Sequence, residues 1–61
     1  MNLKIERIKR NKSQTQLEEV SGVSRITISK IEKGNIQNVR VGILEKLATA
    51  LEIPVKQFFE E

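Results

Sequence analysis

Positions 22–34, GVSRITISKIEKG, place several hydrogen-bond donors on one side of a predicted helix. If Ser24 caps this helix, Ile28 and Ile31 lie together on one side, one turn apart. Ile26 then falls on the opposite side, amid Arg25, Ser29, Lys30 and Lys33. Guanidinium and ammonium groups bind phosphates and other acceptors. The pattern therefore indicates an anion-recognising surface with one apolar side chain at its centre.

The composition excludes several other kinds of chemistry. The 61 residues contain no cysteine, histidine or aspartate, so disulfides and Cys/His metal sites are excluded and only scattered glutamates remain as acids or bases. A chain of this length is a single domain, residues 1–61, with no room for a buried catalytic pocket. We therefore predict no enzyme activity, no metal or other cofactor, and no small-molecule ligand.

The sequence gives no indication of a membrane association. No apolar run approaches the ~20 residues that a membrane-spanning helix needs, and no signal peptide is recognisable. Both phenylalanines lie near the acidic end, whereas a membrane-surface helix combines aromatic and basic residues. We expect a cytoplasmic protein.

Charge is distributed unevenly along the chain. The net charge is +3, but residues 1–40 carry nine basic and four acidic residues, whereas residues 41–61 carry two basic and four acidic residues. The two parts therefore have net charges of +5 and −2. This asymmetry favours a polyanion that approaches one side of the domain, although charge alone is also compatible with an ordinary solvated surface.

The spacing of apolar residues predicts an all-α protein, because strand and hairpin signals are poor. Serine caps, a glycine turn and a proline mark the boundaries of five helical segments. These segments cover residues 2–10, 14–21, 25–33 and 41–51, and a last segment that starts at Pro54. The residues expected to face inward are Leu3, Ile8, Leu17, Val20, Ile28, Ile31, Val41, Leu44, Leu47, Ala48, Leu51, Val55 and Phe58.

The second and third segments are joined by about three residues that include Gly22, which tolerates the left-handed conformation of a sharp turn. Two short helices joined this tightly form a helix-turn-helix. The sequence resembles the phage-repressor and Cro type of DNA-binding domain, the xenobiotic-response-element family of bacterial regulators. The matching residues are Ser13, Gln14, Leu17, Gly22, Val23, Ser24, Ile28, Ser29, Ile31, Glu32 and Gly34, with Arg7 before them and Leu47, Ala48, Leu51 and Ile53 after them.

This resemblance implies a five-helix lambda-repressor-like fold and a sequence-specific regulator of transcription that binds double-stranded DNA. We expect a repressor, and an activator is the alternative. The third helix is expected to enter the major groove, where Ile26 can contact a thymine methyl group. The alternative is that Ile26 packs under the following loop. The residues expected to contact bases are Ser24, Arg25, Ile26, Ser29 and Lys30, and those expected to contact phosphates are Gln14, Thr15, Lys33, Asn35, Gln37, Asn38 and Arg40.

Two further expectations come from the resemblance. Arg7 and Glu32 are expected to form a partly buried ion pair beneath the helix-turn-helix. Glu18 occupies a position where the family usually has alanine facing the third helix, so its stem is expected to bend out into solvent.

Repressors of this class bind as symmetric dimers, because one helix covers too few base pairs to define a unique site. Residues 41–61 are expected to carry the dimer interface, because they lie away from the basic part. Phe58 and Phe59 cannot both face the same core, so Phe59, with Ile43 or Ile53, is expected to contact a partner subunit. The alternative is that Phe59 covers its own core.

The alternative function is a protein-binding helix-turn-helix module, such as an antitoxin or antirepressor component. Within DNA binding, a stand-alone regulator and the N-terminal domain of a longer repressor are both compatible with the sequence.

Overall fold

A computed structural model describes residues 2–59 of the chain, so Met1, Glu60 and Glu61 of the predicted domain lie outside the described residues. The elements are α1 (Leu3–Lys9), α2 (Gln14–Ser21), α3 (Arg25–Glu32), α4 (Val41–Leu51) and a 3₁₀ helix, η1 (Val55–Phe59). The described part contains no strand, so the predicted all-α class is confirmed. The fifth segment is a short 3₁₀ helix rather than an α-helix, which corrects the predicted helix count.

Side-chain caps start the first three helices. The Ile5 N–H donates to Asn2 Oδ1 at 3.1 Å. Ser13 and Gln16 form a reciprocal capping box at α2, in which each side chain accepts a hydrogen bond from the other residue's N–H. These contacts satisfy backbone donors that have no partner inside the helix.

The ends of α2 and α4 have left-handed residues. Gly22 ends α2 with a φ of +76°, as the glycine signal predicts. Glu52 ends α4 with a φ of +59°, and the Ile53 N–H donates to the Ala48 carbonyl at 3.0 Å. The chain therefore leaves α4 before it reaches Pro54.

The core forms where α2 packs against both α3 and α4. Leu17, Ile28, Leu47 and Leu51 have no exposed surface, and Val23 closes the turn between α2 and α3 at 2% exposure. The complete buried cluster is Leu3, Leu17, Val23, Ile28, Ile31, Leu44, Leu47 and Leu51. Most of the predicted inward residues thus lie in the core.

Three predicted core residues are instead exposed: Ile8 (54%), Val20 (56%) and Val41 (55%). In α1 the inward side is marked by Leu3 and Arg7, and Ile8 lies about 140° round the helix from Leu3 at 3.6 residues per turn. Val20 is the second-last residue of α2 and Val41 is the first residue of α4. Both therefore lie at the end of the row of apolar side chains that faces the core, where the side chain is less covered.

A buried ion pair connects α1 to the rest of the domain. Arg7 is 9% exposed, and its Nε and Nη2 donate to Glu32 Oε2 and Oε1 at 2.7 and 3.1 Å. Its Nη1 donates to the Lys12 carbonyl at 2.8 Å, which closes the turn after α1. Gln14 Nε2 also donates to Glu32 Oε1, at 3.1 Å. One guanidinium and one carboxylate therefore join α1, α2 and α3.

The surroundings of Glu32 stabilise its charged form. Burial by itself raises the pKa of Glu32, but hydrogen bonds from Arg7 and Gln14, with the positive charges of Arg7 and Lys4, outweigh it and hold the pKa below the ordinary value of 4.5. The hydrogen bond to Glu32 raises the pKa of Arg7 above its ordinary value.

We expect Arg7→Ala to lose about 3–5 kcal/mol of unfolding free energy, because it leaves the Glu32 carboxylate buried without its cation. That loss is comparable to the whole stability of a domain this small, so the variant should be largely unfolded. Circular dichroism during urea denaturation measures it. Lys9→Ala is the control: it removes a 3.6 Å pair with Glu6 whose lysine side chain is 65% exposed, which should cost less than about 1 kcal/mol. A cooperative transition of Arg7→Ala close to that of the wild type would contradict the structural role of the pair.

The lowered pKa of Glu32 also predicts a pH dependence. As the pH falls, the Glu32 carboxylate of the unfolded chain binds a proton near the ordinary pKa of 4.5, before the same group does so in the folded protein. The stability that Glu32 contributes is therefore present above that pH and is lost as the pH falls through the lower pKa of the folded state. Glu32→Gln should therefore be less stable than the wild type at neutral pH, and the difference should shrink in acid. Denaturant titrations at a series of pH values measure this, with Glu45→Gln as a control at an exposed position. A difference that stays constant down to acidic pH would refute it.

Candidate nucleic-acid interface

Helix α3 has one buried and one exposed side. Ile28 and Ile31 are 0% and 7% exposed, whereas Ile26 on the opposite side is 70% exposed. Ile26 is therefore not packed under the loop that follows the helix. The three-residue turn before α3 orients this exposed side, because buried Val23 anchors the turn and the Ser24 side chain accepts the Thr27 N–H at 3.2 Å.

The exposed side of α3 and the start of α2 form a shallow concavity of about 380 Å³. Ile26 lies within it among amide, hydroxyl and cationic side chains. Every residue that lines this first concavity is a predicted contact residue: Gln14, Arg25, Ile26, Ser29, Lys30 and Lys33. The fold therefore brings residues from two helices onto one surface that can accept an anionic, partly apolar ligand.

A second concavity, of about 610 Å³, adjoins the first, since Lys30 lines both. Three residues predicted to contact phosphates, Asn35, Asn38 and Arg40, line it with Lys30. Thr27, Val39 and Ile43 complete the lining and were not predicted to lie there.

Two apolar side chains that the sequence reasoning missed hold the loop between α3 and α4, after the glycine predicted to end α3. Ile36 and Val39 are partly buried and pack against the core, and the Asn35 N–H donates to the Lys30 carbonyl at 2.9 Å. Gly34 has a φ of +91°, which lets the chain turn directly after α3. The three-residue spacing of the two apolar side chains in an otherwise polar loop was the available signal.

Glu18 is placed differently from the expectation. Its stem does not simply bend into solvent: its Oε2 accepts the N–H of Arg25, the first residue of α3, at 3.1 Å. The first N–H groups of a helix lack partners and carry partial positive charge, so they attract a carboxylate that lies within reach. The three-residue turn puts Glu18 within that reach.

Gln14 also has a partner within the protein. Its Nε2 donates to Glu32, so one amide hydrogen holds the side chain at the edge of the first concavity. The side chain is only partly buried.

The remaining predicted contact residues lie outside both concavities. Thr15, Gln37 and Ser24 are exposed. Ser24 Oγ accepts the Thr27 N–H and donates to Thr27 Oγ1 at 3.0 Å.

The three residues expected at a dimer interface differ in exposure and in position. Phe59 is 62% exposed, whereas Ile53 is partly buried and packs against the core. Ile43 is partly buried too and lines the second concavity beside Arg40. Ile43 lies in the first turn of α4, whereas Ile53 follows the left-handed Glu52 that ends this helix.

Residues 2–59 contain no group of acidic, histidine or cysteine side chains arranged to hold a metal ion. In the same described part, no helix is both long and apolar enough to cross a membrane.

The short capped helix pair, with donors on the outward side of its second helix, defines a helix-turn-helix domain of the lambda-repressor-like fold. A family model described as Helix-turn-helix matches residues 3–58, and the chain belongs to this family, which is of the Cro/C1 type. Comparisons with curated proteins and with solved structures give no match. The family is one of DNA-binding regulators of transcription rather than of enzymes.

Proposed function

We propose that the protein is a transcriptional repressor that binds an operator half-site through α3 in the major groove and acts as a homodimer in the cytoplasm. The observation that carries this proposal is the first concavity, where the exposed Ile26 lies among donors from both helices. The major groove is about 12 Å wide and admits one helix. Thymine methyl groups, which an apolar side chain can contact, are displayed in that groove.

The base contacts follow from side-chain chemistry. Arg25 can donate two hydrogen bonds to guanine, and Lys30 can reach guanine or a phosphate. The Ile26 side chain contacts a thymine methyl group. Ser24 and Ser29 supply short hydroxyl donors or acceptors at the start and middle of the helix.

Phosphate contacts surround these base contacts. The N-terminal amides of α2, at Gln14 and Thr15, suit a phosphate oxygen. Lys33 flanks the first concavity, and the second concavity offers Arg40 and two asparagines to the adjoining backbone. Gln37 is exposed in the same loop. These contacts position the domain but carry no sequence information.

The dimer rests on Phe59. Phe58 packs against the core, while its neighbour Phe59 remains 62% exposed. The domain measures 23 × 19 × 19 Å between Cα atoms, so two copies side by side can place their recognition helices about 34 Å apart, one turn of DNA. Ile53 lies close in sequence to η1 and is the better second contact, since Ile43 lines the DNA-facing concavity.

Selection of bound duplexes from a random pool tests the function. A repressor of this kind should enrich one palindromic site with half-sites one helical turn apart, and its affinity should fall steeply with salt. If no sequence is enriched and the chain is instead retained by a protein partner at high salt, the protein-binding alternative is correct.

Specificity should depend on the exposed side of α3. Arg25→Ala and Ile26→Ala should each weaken operator binding by about 1–3 kcal/mol and relax preference at particular base pairs. Lys33→Ala should weaken all duplexes about equally and reduce the salt slope by about one. Competition binding against single-base operator variants measures both effects. Normal operator binding by Ile26→Ala would show that the thymine-methyl contact is wrong.

Gln14→Ala should also weaken all duplexes about equally, since phosphates carry no sequence. This variant removes a hydrogen bond to Glu32 as well, so its unfolding free energy must be measured beside its affinity.

Dimerisation should depend on Phe59. Phe59→Ala should weaken self-association by about 2 kcal/mol or more if its ring is central to the interface. Sedimentation equilibrium measures this, and Ile8→Ala on α1, another exposed apolar side chain, is the control. A wild-type chain that remains monomeric at high micromolar concentration and binds only single half-sites would rule out the dimer.

A further inference from the structure

We infer that Glu18 is a positioning residue for Arg25, and that through Arg25 it sets part of the specificity of the interface. The inference rests on the proposed function. Glu18 lies on α2, outside the set of predicted contacts, and its carboxylate accepts the backbone N–H of Arg25 at 3.1 Å. This hydrogen bond spans the turn of the helix-turn-helix.

The first turn of α3 is held by two side chains. Ser24 Oγ accepts the N–H of Thr27, and Glu18 Oε2 accepts the N–H of Arg25. Glu18 follows Leu17, which is fully buried, so the backbone that carries the carboxylate is anchored in the core. Arg25 itself is exposed. Its backbone is thus held from α2, while its side chain lines the first concavity.

A bidentate contact requires this kind of support. A recognition group must be held within about 0.5 Å by neighbouring side chains to keep its geometry. Arg25 is the first residue of α3, where backbone positions are least constrained by the hydrogen bonds of the helix itself. The carboxylate of Glu18 supplies the missing constraint at this residue.

The negative charge of Glu18 has a separate effect. A carboxylate at the start of the recognition helix stabilises the partial positive charge of the helix terminus, but it also repels phosphates. Glu18→Gln keeps an oxygen that can accept the Arg25 N–H and removes the charge. Acceptor and charge can therefore be separated experimentally.

The test measures discrimination at each operator base pair by competition binding, for the full chain and its variants. Arg25→Ala first identifies the base pair that Arg25 reads, where one bidentate contact supplies about 5- to 150-fold discrimination. Glu18→Ala should reduce discrimination at that base pair by about threefold or more and leave other positions unchanged, whereas Glu18→Gln should stay within about twofold of the wild type there. In the Arg25→Ala background, Glu18→Ala should have no further effect on discrimination.

Controls separate this role from a loss of folding or of charge. Thermal unfolding of each variant ensures that binding is measured on folded protein. Glu18→Met, which keeps an apolar stem without an acceptor, is the second variant. Glu19→Ala makes the same charge change at the adjacent exposed position and should leave discrimination intact.

Three results would overturn the inference while leaving the proposed function in place. In the first, folded Glu18→Ala and Glu18→Met keep the wild-type discrimination at the base pair that Arg25 reads. In the second, both variants lose discrimination equally at all base pairs. An effect of Glu18→Ala that persists without the Arg25 side chain would instead show that Glu18 contacts a base directly. If the wild type selects no sequence at all, the proposed function fails, and this inference fails with it.

Discussion

The ion pair between Arg7 and Glu32 is the interaction that fixes α1, α2 and α3 relative to one another. The three guanidinium nitrogens of Arg7 donate to the Glu32 carboxylate on α3 and to the Lys12 carbonyl in the turn after α1. The Glu32 carboxylate also accepts a hydrogen bond from Gln14, the first residue of α2. Leu3 is the core residue that α1 contributes, so apolar burial alone attaches that helix weakly. A buried charge pair is a poor source of stability compared with well-packed apolar residues, but its directional bonds define one arrangement of the helices.

Two glutamates hold opposite ends of α3. Glu32 is its last residue and is bonded to Arg7 and Gln14, while Glu18 from α2 accepts the first N–H of the helix. Buried Ile28 and Ile31 hold its inner side against the core. The recognition helix of the proposed complex is therefore constrained at both ends and along one side, which leaves its outward side chains available to a ligand.

Most basic residues of the domain fall into two groups, those paired with carboxylates and those that line the two concavities. Arg7 and Arg10 bind the carboxylates of Glu32 and Glu6, and Arg10 Nη1 donates to Glu6 Oε1 at 2.9 Å, a partly buried hydrogen bond that lowers the pKa of Glu6. The cations of the two concavities, by contrast, surround the exposed Ile26 and the loop after α3. Net charge thus understates the positive potential of this side, which agrees with the family's binding of DNA.

The sequence by itself determined the helices, the left-handed glycine turn and most of the core, because caps and 3.6-residue apolar spacing act over a few neighbouring residues. It also placed the six residues of the first concavity on one surface, through the resemblance of the turn and its flanks. Only the tertiary structure decided the placement of side chains whose partners are distant in sequence or compete with solvent. The Glu18 side chain binds α3 because the tight turn places it beside N–H groups that have no partner within the helix. Ile8 is exposed because Arg7 lies on the inward side of α1. Likewise, packing against the core anchored Ile36 and Val39 in a loop whose other residues are polar. These outcomes depend on which elements meet in space, and local spacing does not contain that information.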